Sequence, residues 1–192
     1  MSRPVLILFT RIPRLGIGKR RLARSIGDRR ALILARLMLA QTQRRLRALR
    51  GITRIIALTP DHHARLSTPG WQKIGQGRGD LGARMQRAIG HYPRRVVILI
   101  GSDIPDITAS DIRQAVRLLR GHHAIFGPAK DGGYWLIGQS GRRPALPFAH
   151  VRWSSPHALA DTRANFTRQR TYLLRWLCDI DDAPGNQPVH RE

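Results

Sequence analysis

Cysteine and glutamate are almost missing from the 192 residues. Cys178 is the single cysteine and Glu192 the single glutamate. One cysteine makes neither an intrachain disulfide nor a zinc cluster, so a reduced, cytoplasmic setting is expected. Long apolar runs are missing as well. None exceeds five residues, as in Val96–Ile100, whereas a membrane span needs about 20. The opening Met1-Ser2-Arg3-Pro4, with a short apolar stretch ending at Phe9, lacks the long core and small-residue cleavage site of a secretory signal. Aromatics amount to only 6%, which limits stacking platforms for single-stranded nucleic acid. Zinc-finger spacing, an RRM signature and a basic heptad helix are all absent. His62-His63 and His122-His123 are adjacent pairs, and neighbours seldom share one metal, so solvated loop or edge positions are expected for them. Cys178 lies in an apolar run and is expected to pack.

Positive charge is what the chain has in excess. The formal net charge is +22, and lysine occurs only at Lys19, Lys73 and Lys130. Such a balance favours anionic partners, whether nucleic acid or phosphorylated small molecules. The arginines are spread along the chain, so solvated helix faces account for many of them equally well. Asp80, Asp103, Asp106 and Asp131 sit beside Gly, Ser or Pro, and Asp179, Asp181 and Asp182 form one acidic turn-like run. Turn shaping and helix capping are ordinary uses of such residues. Their value as ligands therefore depends on the strands they follow.

A 42% hydrophobic content over 192 residues predicts one globular domain. It is expected to run over residues 1–182, with a loose tail at 183–192. Val5–Phe9, Ile55–Leu58, Val96–Ile100, Ala124–Phe126, Tyr134–Ile137 and Tyr172–Leu177 read as strands. The run Val96–Ile100 has no alternation, which is the mark of a parallel strand buried on both faces. Ala31, Leu34, Ala35, Met38, Leu39, Thr42, Leu46 and Leu49 form one apolar helical stripe, with Asp28 as its expected cap. Further helices are expected at 82–89, after the Thr108–Asp111 capping box, and at 156–168. Residues 60–80 read as irregular. Strands alternating with helices predict an α/β sandwich with a mostly parallel sheet.

In such sheets ligands bind beyond the carboxyl ends of the strands. Three loops leave expected carboxyl ends: TRIPRLGIGKRRL (10–22), GSDIPD (101–106) and GPAKDGGYW (127–135). The first carries Gly16, Gly18, Lys19, Arg20 and Arg21, the materials of a phosphate cradle or simply of a basic turn. It fits neither the Walker A pattern nor the dinucleotide G-x-G-x-x-G pattern. In the second, Asp103 is placed to hold Mg2+ or Mn2+, which takes one or two carboxylates plus substrate phosphates. Asp106 serves either that ion or the turn after Pro105. In the third, Asp131 is a general base or hydroxyl acceptor, or Asp131-Gly132-Gly133 is a hairpin turn.

Together RIPRLGIGKRRL, QGRGDLGARM (76–85), GSDIPD, GPAKDGGYWLIG (127–138), WSSP (153–156) and DIDD (179–182) resemble the DUF2064 family of glycosyltransferase-like proteins, often associated with arsenosugar biosynthesis. The resemblance runs from about Val5 to Asp182. It implies a GT-A, nucleotide-diphospho-sugar transferase-like fold, a three-layer α/β/α sandwich related to the nucleotidyltransferases that activate molybdopterin or phospholactate. In the family opening K-x-P-x-x-G-x-x-K-T-R-L, residues Pro13, Gly16, Lys19, Arg21 and Leu22 match. Arg11 and Arg20 replace a lysine and a threonine, keeping a basic loop and removing a hydroxyl. The resemblance implies phosphate binding by Pro13, Gly16, Lys19 and Arg21. It places Gln76, Gly77, Asp80 and Arg84 near the base, and Ser102 and Asp103 in the metal motif. Asp181 and then Asp179 are the implied second metal carboxylates, from D-x-D-T with Asp182 in the last place. Asp131, Gly132, Gly133, Tyr134, Trp153 and Ser154 fall on the acceptor side, with Ser155 in place of a threonine.

The expected activity is thus metal-dependent transfer from a nucleotide or nucleotide-sugar donor to a small-molecule acceptor. Glycosyl transfer ranks first on the resemblance alone, and nucleotidyl transfer second. A basic nucleic-acid-binding protein, or a homologue that binds nucleotide without turnover, are the other readings. A homodimer is the default assembly.

Overall fold

The computed structural model describes residues 2–17, 20–61 and 66–178, with the side chains of Arg20 and Arg21 left out. Seven strands form one sheet in the order β3-β2-β1-β4-β6-β5-β7. They are β1 (Val5–Arg11), β2 (Thr53–Thr59), β3 (Gln72–Gly75), β4 (Val97–Ile100), β5 (Ala124–Pro128), β6 (Tyr134–Gln139) and β7 (Thr171–Leu173). Strand β1 pairs in parallel with β2 from Val5↔Thr53 and with β4 from Val5↔Val97. Of these seven, β6 alone is reversed, lying antiparallel between β4 and β5.

The helices are α1 (Arg20–Ile26), α2 (Asp28–Arg47), α3 (Leu81–Gly90), α4 (Ala109–Leu118) and α5 (Ala158–Ala164). Leu39 and Leu46 of α2 and Ile112 and Ala115 of α4 pack on one sheet face with Ile98 and Ile100. Met85, Ala88 and Ile89 of α3 pack on the other with Val97 and Leu99, joined by Phe166 from the turn after α5. All four β4 side chains are buried, each worth about 1.5–3 kcal/mol when withdrawn from water. The architecture is therefore the expected three-layer α/β/α sandwich.

Several boundaries differ from expectation. Gly27, with φ 83°, is the N-cap of α2, and Asp28 lies in the first turn instead. Its carboxylate there still complements the helix dipole. The region expected to be irregular contains β3, and α1 follows the first loop. The helix expected at 156–168 is confined to Ala158–Ala164, and the last strand to Thr171–Leu173. The capping box is present: Thr108 Oγ1 accepts from Asp111 N at 3.3 Å, and Asp111 Oδ2 accepts from Thr108 N at 2.8 Å.

Candidate active site

Because β1, β4 and β5 run the same way, their carboxyl ends open on one edge of the sheet. A cleft of about 710 Å3 lies there. Arg11 comes from the end of β1 and Pro13 from the loop after it, Ser102 and Asp103 from the loop after β4, Asp131 and Gly133 from the β5–β6 turn, and Tyr134 from the start of β6. Gln76, Arg84, Trp153 and Ser154 line the cleft as well. The three loops singled out in the sequence therefore meet.

The floor is built by hydrogen bonds between strand ends. Thr10 is buried, and its Oγ1 lies 2.7 Å from Ser102 Oγ, tying β1 to the loop after β4. Gln76 is 1% exposed. Its Nε2 donates to Thr10 O and Ala57 O, both at 2.9 Å, and its Oε1 accepts from Arg84 Nη1 at 3.0 Å. The amide thus braces β1 against β2 and aims the arginine. Arg84 Nε also donates to Asp80 O at 3.2 Å. Burial, and then Arg11, lower the Arg84 pKa, while the nearby Asp80 raises it.

Asp103 turns back toward Gly101, where an added β-carbon would lie 2.7 Å from its Oδ1. Gly101 lets this carboxylate sit against the strand end. Asp131 is exposed, and its Oδ1 accepts from Gly133 N at 2.8 Å. The segment is a hairpin turn, with Ala129 N donating to Gly133 O at 3.0 Å, and it also presents Asp131 to the cleft. Burial raises the Tyr134 pKa, although a hydrogen bond from Thr162 opposes it. That hydroxyl is therefore held protonated and serves as a donor or acceptor, not as a base. Trp153 stacks obliquely on Phe148, their centroids 6.2 Å apart. The indole also fills the space that a side chain at Gly82 would need, 2.9 Å from Cζ2. Ser154 takes a positive φ of 57° at the rim.

Other expected site residues serve as framework. Asp80 caps α3, its Oδ1 accepting from Ala83 N at 2.8 Å. Gly77 has φ 71°, and a β-carbon there would meet Arg87 Nη1 at 2.5 Å. Gly132 packs on Pro156. Gly16 borders a small depression beside the main cleft, against Ala31 and Ala35 of α2. Lys19, Asp179, Asp181 and Asp182 lie outside the described residues, as do His62, His63 and the side chain of Arg21. His122 Nδ1 lies 3.0 Å from Leu118 O and its ring meets Tyr172 edge-on, so it belongs to the sheet edge. Cys178 is only half-buried.

Two contributors were not visible in the sequence. Trp135 lines the cleft, and its Nε1 donates to Arg175 O at 3.2 Å. Arg175 in turn reaches Asp111 through two bonds, at 2.8 and 2.9 Å, and donates to Asp106 O at 2.9 Å. The segment after β7 is thereby clipped to the loop that bears Asp103. The signal available in the sequence was Asp111, an acid within an otherwise apolar helix stripe.

The family model of DUF2064, described as an uncharacterised protein conserved in bacteria, matches residues 41–155. The chain belongs to this family. Among solved structures, a candidate nucleotide-diphospho-sugar transferase from Desulfovibrio desulfuricans G20 is 28% identical with a TM-score of 0.81, covering 95% of this chain and 84% of that one. CMP:2-keto-3-deoxy-manno-octonic acid synthetase complexed with CTP shares the fold at 11% identity and a TM-score of 0.60, with 94% of each chain covered. Rv0371C of Mycobacterium tuberculosis H37Rv, solved with manganese, does so at 14% identity and 0.56, covering 95% of this chain and 94% of that one. No curated protein matches the sequence. These similarities carry the nucleotide-diphospho-sugar transferase-like fold.

Among the described residues no helix is long and apolar enough to cross a membrane. No group of three or more His, Cys, Asp or Glu that could hold a metal occurs among them either. Among the described residues, Asp103 and Asp131 are the carboxylates that line the cleft. Hard oxygen ligands of this kind suit Mg2+ or Mn2+ when substrate phosphates complete the shell.

Proposed function

We propose that this DUF2064 protein is a transferase that binds a nucleotide-activated donor in the 710 Å3 cleft and passes its activated group to a small acceptor. The observation that carries the reading is the convergence of a basic β1 end, a carboxylate after β4, a second carboxylate in the β5–β6 turn and an indole, all lining one cleft at the sheet edge. The similarity to the D. desulfuricans protein supports glycosyl transfer as the first choice. The fold shared with a CTP-bound synthetase supports nucleotidyl transfer as the second.

In this reading the loop from Pro13 through Gly16, with Lys19 and Arg21, holds the donor's phosphates. Asp103, with Asp181 or Asp179, holds Mg2+ or Mn2+. A cation held there would supply neutralisation of the charge on the leaving phosphate. The fold shared with a manganese-bound protein supports the choice of ion. Asp131 accepts the proton of the acceptor hydroxyl from the exposed side of the turn. The Trp153 indole and the Tyr134 hydroxyl orient that acceptor.

The test is thermal stability against nucleotides and nucleotide-sugars, with and without Mn2+, for wild type and Asp103→Ala. A ligand that binds only the folded state raises its stability, by about 2.7 kcal/mol at a hundredfold excess over Kd. A metal-dependent rise with one nucleotide class, lost in Asp103→Ala, is expected. No rise with any nucleotide, together with tight salt-sensitive binding to DNA or RNA, would sink the proposal. Released product then separates the two chemistries. Nucleoside diphosphate marks glycosyl transfer, and pyrophosphate marks nucleotidyl transfer.

A further inference from the structure

We propose that Arg84 and Arg11 form an oxyanion subsite at the β1 side of the cleft, with Gln76 as its positioning residue. The subsite rests on the transferase reading for the cleft's role as a binding site. It adds an anionic group to what the ligand must carry, separate from the carboxylate side at Asp103.

The chemistry follows from how the arginine is held. A guanidinium has five N–H donors in a planar fork. Two bonds spend Arg84 on the scaffold, Nη1 to Gln76 Oε1 and Nε to Asp80 O. They fix the plane of the fork and leave further donors on the wall of the cleft. The acceptor that holds it is a neutral amide, so the full positive charge remains. The nearest acid, Asp80, has already committed Oδ1 to capping Ala83 N. Gln76 cannot turn away, because its Nε2 bridges Thr10 O and Ala57 O. Arg11 lines the same cleft from the end of β1, and its charge helps to lower the Arg84 pKa. Two cations brought together this way are stabilised by an anion placed across both. A preset fork matches the paired oxygens of phosphate or carboxylate. A glutamate at position 76 would neutralise the arginine and set a carboxylate oxygen against the Thr10 and Ala57 carbonyls. Glutamine donates to both and keeps the charge for the ligand.

Two sources supply such an oxyanion: a phosphate of the donor or a carboxylate of the acceptor. Isothermal titration of the metal-free protein in EDTA, at about 0.1 M salt, with pyrophosphate in one arm and malonate in the other separates them. Wild type is expected to bind one of the two, pyrophosphate marking the donor and malonate the acceptor. Arg84→Gln is expected to weaken that binding roughly tenfold or more. Arg84→Lys should recover only part, since an ammonium lacks the fork. Gln76→Met should weaken binding several-fold while leaving Arg84 present, a loss that charge alone would not produce. Arg44→Gln, on the exposed outer side of α2, controls for the general basic surface and should bind as wild type does. Should Arg84→Gln unfold by circular dichroism, Arg11→Gln at the exposed strand end carries the same expectation. The subsite is overturned if wild type binds neither anion, if Arg84→Gln (or Arg11→Gln in its place) binds as wild type, or if Arg44→Gln loses as much. Should nucleotides fail to stabilise the protein while anion binding still depends on Arg84, the transferase reading fails and the subsite stands.

Discussion

At position 132 an added β-carbon would meet Pro156 O at 2.2 Å, on a backbone with φ +84°. Neither obstacle can yield, since one is main chain and the other is a conformation that L-residues rarely adopt. Gly132 O also accepts from Leu159 N at 3.0 Å. This glycine therefore fixes the turn bearing Asp131 against the wall formed by Ser155 and Pro156. Gly132→Ala is expected to cost about 1–3 kcal/mol in urea unfolding and to displace Asp131, lowering turnover more than donor binding. Unchanged stability would show that the 156–159 segment can move aside. Gln76 poses a related case. Gln76→Ala removes the two bonds that Nε2 donates to Thr10 O and Ala57 O, at about 0.5–1.5 kcal/mol each. A midpoint equal to that of wild type would mean that the amide does not brace the two strands.

At the scale of elements, the clip formed by Arg175 joins parts that lie far apart in the chain. Asp111 is 5% exposed. Burial raises its pKa, but the Arg175 side chain and the Thr108 hydroxyl and amide outweigh that, and the carboxyl is held below its usual 3.8. A depressed value in the folded state gives stability that is complete above the unfolded value and is lost as pH falls through the folded one. Asp111→Asn should therefore cost about 1.5 kcal/mol near neutral pH, the low end for charged hydrogen bonds because Arg175 is half-exposed. The deficit against wild type should shrink below pH 3.8. A deficit that stays constant well below that pH would assign the effect to packing. This clip also marks the limit of what the sequence discloses. The capping box at Thr108 is local and could be read directly, as could β4, whose unbroken apolar run has no other explanation. Strand β3 could not, because Gln72–Gly75 has no buried face and owes its order to pairing with β2. The motif around Gln76 located a site residue without its job. That job is set by carbonyls at positions 10 and 57, which only the fold brings near. Asp131-Gly132-Gly133 had two readings, hairpin and ligand; the structure shows the hairpin and sets Asp131 on the cleft, where the second reading is a proposal.

Over the whole molecule, charge dominates. A net +22 sits on a body whose radius of gyration is about 16 Å for this length. At about 0.01 M salt the Debye length is near 30 Å, so the arginines repel one another across the entire protein. At about 0.15 M it falls to about 8 Å, and only neighbours interact. The thermal midpoint is therefore expected to rise by several degrees between these two conditions with sodium chloride, as screening relieves self-repulsion. A fall would mean that ion pairs such as Arg152–Asp161, at 2.9 Å, outweigh the repulsion. Screening alone depends on ionic strength and not on which anion supplies it. Pyrophosphate at matched ionic strength should add a further rise, because it occupies the cleft as well as screening the surface. That increment should vanish in Arg84→Gln while the chloride response remains. The two responses are separable because one belongs to charges spread over the surface and the other to two arginines in one cleft. Equal increments in wild type and Arg84→Gln would move the anion from the cleft to the surface and return the basic charge to a general role.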